Sequence, residues 1–169
     1  KDTKLAYFAR LADDKAWQRL AKVEAFSAEA DDVFVPISVI PGSNFVYAEK
    51  NSEGRKALWQ IDLLDQREPE VMFEHPTVDI GSALFSSTKQ LLGVFYETDR
   101  PAVYYSDTRR KTYVDALNKV LPNRLNTLVD RTHDERFFIV RSTSDVLAPE
   151  YYVLDTTGSK LALQKIGSS

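Results

Sequence analysis

The feature that most limits what this chain can become is a pattern that returns three times. Phe45-Val46-Tyr47-Ala48, Leu91-Leu92-Gly93-Val94-Phe95-Tyr96 and Phe137-Phe138-Ile139-Val140 are short aliphatic and aromatic runs, each preceded by turn-forming residues. Such runs read as buried strands. A polar turn and a second strand follow each: Ala57 to Asp62, Ala102 to Asp107 and Tyr151 to Asp155. All three second strands close on an aspartate, and Asp62, Asp107 and Asp155 lie 45 and 48 residues apart. That spacing is close to the period of a four-stranded propeller blade.

The turn before each apolar run is built alike, from Pro41 to Asn44, Ser86 to Gln90 and Thr132 to Arg136. Residues 33–39, 80–85 and 125–129 supply a preceding strand, and 71–73 and 161–166 a last one. The fold class that results is all-β: β-propeller-type blades of four antiparallel strands, about four of them at roughly 45 residues each. They form a single partial domain over residues 1–167, open because the chain is too short for a ring of seven or eight blades. Unbroken apolar runs fit strands covered on both faces. One helix is inserted near 109–121, with Tyr113, Leu117 and Val120 at helical spacing and Pro122 closing it. It falls where the middle unit is due a fourth strand, so it replaces that strand or sits on the rim. At the N-terminus, Leu5 to Ala9 reads as a strand. Residues 15–28, through Trp17, Leu20 and Val23, read as strand or amphipathic helix, and the hairpin reading is preferred.

Composition narrows the function classes. A net charge of -3, with both signs interspersed, supplies no basic stripe for a phosphate backbone, so nucleic acid is not an expected partner. No cysteine is present, which removes disulfides, thiolate metal sites and a cysteine nucleophile. The longest apolar runs fall far short of the roughly 20 residues that span a bilayer. The compartment, cytoplasmic or periplasmic, stays open. Starting at Lys1 without Met and ending on Gly167-Ser168-Ser169, the chain reads as a fragment of a longer protein.

A search for chemistry finds no catalytic set. None of the six glycines forms a Gly-x-Ser-x-Gly elbow, a P-loop or a dinucleotide fingerprint. The two histidines, His75 and His133, lack the i, i+4 spacing that puts two imidazoles on one metal, so neither a metal nor a cofactor is expected. Paired acids at Asp13-Asp14, Asp31-Asp32 and Asp134-Glu135 read as solvated turns. A carboxylate hydrolase would need acids such as Asp99 and Asp145 to converge in one pocket. The segment from Asp130 to Arg136, with Arg124 and Arg141 nearby, is the densest mixture of charges, and surface ion pairing explains it. The substrate-binding candidates are Arg131 and Arg141, either of which would hold a substrate carboxylate in a bidentate pair if it faced a central tunnel. Tyr104, Tyr105, Tyr151 and Tyr152 read as core.

From Ile80 to Ile166 the chain resembles, in texture and order, the propeller domain of bacterial prolyl oligopeptidase-family serine peptidases, the group of dipeptidyl and acylaminoacyl peptidases. The resemblance is carried by Val94-Phe95-Tyr96-Glu97-Thr98-Asp99-Arg100-Pro101, the helical insert ending Leu121-Pro122-Asn123-Arg124, then Val140 to Asp145, and Tyr151 to Asp155 before a Gly turn. It implies a non-catalytic segment that gates and orients peptide substrates for a separate α/β-hydrolase domain, expected C-terminal to residue 169 in a parent chain. No catalytic residue carries over. The alternative is a free-standing propeller-like module that binds a protein or peptide. In either case an open arc leaves apolar blade faces uncovered, so a homo-oligomer is expected.

Overall fold

The computed structural model of the chain describes residues 4–10, 16–24, 34–64 and 66–168. Two compact units divide the chain, Lys1–Arg100 and Pro101–Ser169, each with its own apolar clusters.

In the first unit β1 (Lys4–Ala9) and β2 (Gln18–Glu24) pair antiparallel, so the segment around Leu20 is strand. Next come β3 (Phe34–Val39), β4 (Phe45–Ser52), β5 (Arg55–Asp62) and β6 (Glu70–Phe73), a four-stranded antiparallel meander in which every strand pairs with the next. That is the order of a propeller blade. The β4–β5 turn has Glu53 and Gly54 at φ +48° and +79° between Ser52 and Arg55, the two positive angles a tight hairpin needs to match strand twist. A further antiparallel pair, β7 (Ile80–Phe85) and β8 (Leu91–Glu97), follows.

Strands β4 and β8 are buried along consecutive residues, Val46 to Ala48 and Leu91 to Val94. The two-residue period sends alternate side chains to opposite faces. Tyr47 and Leu58 accordingly pack with Ile80, Leu91 and Val94, while Val46, Ala48 and Ile61 form a separate cluster with Trp59. Both faces of the blade are therefore occupied.

The second unit runs through β9 (Pro101–Tyr105), α1 (Thr108–Val120), β10 (Leu125–Arg131), β11 (Phe137–Thr143), β12 (Glu150–Asp155) and β13 (Ala162–Ser168). The last four strands form a second blade-like meander. In chain order α1 takes the place of the middle group's fourth strand, and it packs Leu117, with Tyr113 and Leu121, against Phe138, Val140, Tyr152 and Leu154 of the following sheet. The run Phe137 to Val140 was expected to be buried throughout, and this needs correction. Phe138, Val140 and Ser142 are buried, but Phe137 and Arg141 are exposed, because only the even-numbered face of β11 meets the helix.

The recurring aspartates share one task. Asp62 Oδ1 accepts from the Leu64 N–H at 3.0 Å, Asp107 Oδ1 from Arg110 N–H at 2.8 Å and Asp155 Oδ1 from Thr157 N–H at 2.8 Å. Each ties off the main chain just after a strand, and Asp107 does so as the N-cap of α1. The turns before the apolar runs also share a design. Ile40, Ser86 and Thr132 each donate N–H to a carbonyl across the turn, at Phe45, Gln90 and Phe137. Gly42, Lys89 and Glu135 supply the left-handed residue, at φ +72°, +65° and +55°.

Candidate functional site

A cleft of about 350 Å³ lies in the second unit between β9, α1 and the start of β10. Its β9 wall is formed by Pro101, Ala102, Val103 and Tyr105, and α1 contributes Val114 and Asn118, one turn apart on one helix face. The segment Asn123 to Asn126 completes it. Asn123, just past the helix, adopts φ +60°, a conformation asparagine tolerates better than most residues. Val114 is buried at the bottom, whereas Asn118 and Asn123 are exposed on the rim.

Behind the cleft runs a satisfied polar network. Asn126, 2% exposed, donates its amide to Asn118 Oδ1 and to the Leu121 carbonyl, both at 3.0 Å, and its own Oδ1 accepts from Ser142 Oγ at 2.6 Å. Arg124 donates to Ser142 Oγ at 2.9 Å and to the Ser142 and Ala148 carbonyls at 3.1 Å, and lies 3.4 Å from Glu150. Burial pushes the Tyr105 phenol up, while a bond from the Leu128 main chain and the nearby Arg110 charge pull it the other way.

A second constellation sits at the other end of α1. The helix has no acid in its first turn and instead carries Arg109 and Arg110 there, against its dipole. Glu135, from the β10–β11 turn, supplies the missing carboxylate. Its oxygens meet Arg109, Arg110 at 2.7 Å and Arg131 at 2.8 Å. Arg110 is buried, its guanidinium 5.2 Å above the Phe138 ring.

Three carboxylates hold pKa values below the usual range. Asp134 does so through the Thr132 hydroxyl first, Glu150 through Lys165 and then the Tyr152 hydroxyl, and Asp155 through the Thr157 main chain. A group whose folded pKa is depressed contributes stability above its unfolded pKa and loses it as pH falls through the folded value. With unfolded carboxylates near about 4, melting by circular dichroism should be level from neutral pH down to about 5 and should fall progressively below about 4. A Tm that stays constant to pH 3 would contradict this account.

The structure separates the two sequence candidates. Arg131 stands opposite Phe138, and Arg141 lies three residues further along β11, opposite Thr127. An odd step along a strand changes face, so the two arginines are on opposite sides of the sheet and about 10 Å apart along it. Arg131 is engaged with Glu135, and Arg141 is exposed. His75 stacks on Tyr96 at 4.6 Å between ring centres, and His133 is exposed in its turn. Asp99 and Asp145 are exposed in loops, as is Asp134, while its neighbour Glu135 belongs to the arginine cluster. Asp13, Asp14, Asp31 and Asp32 lie outside the described residues. Of the four tyrosines read as core, Tyr152 is buried and Tyr105 and Tyr151 are half-buried, but Tyr104 is 43% exposed, on the outward phase of β9.

Sequence reasoning passed over Asn118, Asn123 and Asn126. The signal available was three asparagines bracketing the end of a helix. No helix among the described residues is long and apolar enough to cross a membrane. No protein-family model, curated protein or solved structure matches the chain.

Proposed function

We propose that this chain is a non-catalytic, propeller-like segment that binds peptides, with the cleft beside β9 as the seat of the bound chain. One observation carries the reading. The cleft joins a buried apolar floor at Val114 to a few polar groups on its rim, Asn118 and Asn123, the make-up of a site that orients a ligand rather than reacts with it.

The finer form rests on the resemblance stated above: the segment gates and orients peptides for a C-terminal α/β-hydrolase domain of a prolyl oligopeptidase-like serine peptidase. The alternative is a free-standing peptide-binding module. The cleft serves both, and the reading frame beyond Ser169 separates them. A Gly-x-Ser-x-Gly elbow followed by Asp and then His supports the first, and a stop codon the second.

The test of binding is an anisotropy titration with fluorescent, capped octapeptides varied at alternate positions over Ala, Val and Thr. Binding in roughly the micromolar range is expected, weakened about tenfold or more by Val103→Asp, which puts a charge on the cleft wall. Absence of binding up to about 1 mM across the pool overturns the proposal.

A further inference from the structure

We infer that Arg109, Arg110 and Arg131, gathered at the N-terminal end of α1, form a binding site for a phosphate dianion, and that Glu135 is the site's built-in occupant. The inference goes beyond the peptide-binding reading and does not rest on it, because no residue of the cluster lines the cleft.

Charge is the first argument. Glu135 sets one negative charge among three guanidinium groups, and among the described residues it is the only acid in ion-pair contact with them. The neighbouring acids are turned elsewhere. Asp107 Oδ1 accepts from the Arg110 N–H, Asp130 Oδ1 from the Arg131 N–H, and Asp134 Oδ1 from the Thr132 hydroxyl and the Arg136 N–H. Arg109 and Arg110 also stand in the first turn of a 13-residue helix, where unpaired N–H groups and the dipole add positive potential. Exchanging Glu135 for a phosphate, with a charge of about −1.5 to −2 at neutral pH, puts more negative charge where the field is most positive.

Unused donors are the second argument. Each arginine gives Glu135 one nitrogen, Nη2 from Arg109 and Arg110 and Nε from Arg131. In a planar guanidinium, Nε–H and one Nη2–H leave the same edge in parallel, a fork suited to two oxygens of one anion. On Arg110 that fork is half filled. Its Nη2 donates to Glu135 at 2.7 Å, while Nε, on the same edge and directed the same way, is buried without a partner. A buried donor left unmatched carries its full desolvation cost. A carboxylate brings two oxygens to three such forks, whereas a phosphate monoester brings three. The cluster opens to solvent through Arg109, whose side chain is 53% exposed.

Other anions fit less well. A second carboxylate repeats the charge and the two oxygens of Glu135 and gains nothing by the exchange. A nucleic-acid phosphodiester carries one charge per phosphate and depends on a row of cations, which the interspersed charges of this chain do not supply. Free phosphate and a phosphate monoester share the dianionic chemistry that the three arginines match.

The experiment titrates the intact chain with inorganic phosphate, and separately with phosphoserine capped at both ends, near neutral pH and at constant ionic strength. Backbone amides of residues 109–111 and 132–136 are followed by NMR. Saturable shifts at these amides are expected, with a Kd of about 1 mM or below. Saturation by inorganic phosphate alone assigns the site to the free ion, and saturation by both probes extends it to a monoester. Glu135→Gln removes the competing charge and should tighten phosphate binding about tenfold, a gain that a purely structural ion cluster would not show. Arg109→Ala, at a half-exposed side chain, keeps the fold and should weaken binding about tenfold or more, so the site stays testable should the glutamine variant unfold. An equal response to acetate, no saturation up to about 20 mM of either phosphate, or binding undiminished in Arg109→Ala overturns the inference.

Discussion

Replacing Glu135 by alanine should lower the unfolding free energy of the second unit by about 3–5 kcal/mol, a loss on the scale of removing one partner from a buried ion pair. Glu135 meets three guanidinium groups, and of these Arg110, with a side chain only 5% exposed, cannot exchange its lost partner for water. Arg110 Nε is already buried without a hydrogen-bond partner, which leaves the cation still more dependent on that carboxylate. Two further variants separate charge from backbone. Arg110→Met combined with Glu135→Ala removes the stranded cation and should recover a large part of the loss. Glu135→Gly should be less damaging than Glu135→Ala by about 1 kcal/mol, because a non-glycine residue at φ +55° is strained. Urea unfolding at neutral pH followed by circular dichroism measures all three. A Glu135→Ala loss under about 1 kcal/mol would mean the cluster is solvated and contributes as little as a surface ion pair.

The recurrence of apolar runs and aspartates was legible because both arise from local chemistry. Asp62, Asp107 and Asp155 bond main-chain N–H groups two or three residues ahead, so their positions mark strand ends in the sequence itself. The left-handed turn residues were harder to read. Gly42 advertises its conformation, but Lys89 and Glu135 adopt the same backbone region under tertiary constraint, and neither residue type signals it. The destination of α1 was not legible either. Helical spacing of Tyr113 and Leu117 says that an apolar stripe must be covered, and nothing local says that the cover is the following sheet.

The candidate site was hidden for a related reason. Its parts come from β9, one face of α1 and the residues entering β10, so no linear pattern holds them together. Charge is conspicuous in a sequence and makes arginine the readier candidate, yet Arg131 and Arg124 are occupied by Glu135 and Glu150. The cleft instead presents amides, which have no charge to mark them.

The neighbouring phenylalanines of β11 provide the sharpest contrast between apolar run and strand phase. Phe138 is 1% exposed, edge-on to Tyr113 at 5.6 Å, beneath Arg110 and against Leu117, Val140, Tyr152 and Leu154. Phe137, one residue earlier, is 39% exposed on the face the helix does not cover. Phe138→Ala should therefore cost about 3–5 kcal/mol, from lost transfer energy plus the cavity left among groups already in contact. Phe137→Ala should cost under about 1 kcal/mol. Denaturant unfolding of both variants at neutral pH makes the comparison within one strand and one amino-acid type. Equal losses would show that β11 is buried on both faces like β4, with something covering the Phe137 face in solution. A small loss at Phe138 would remove the claim that α1 and the last blade share a single core.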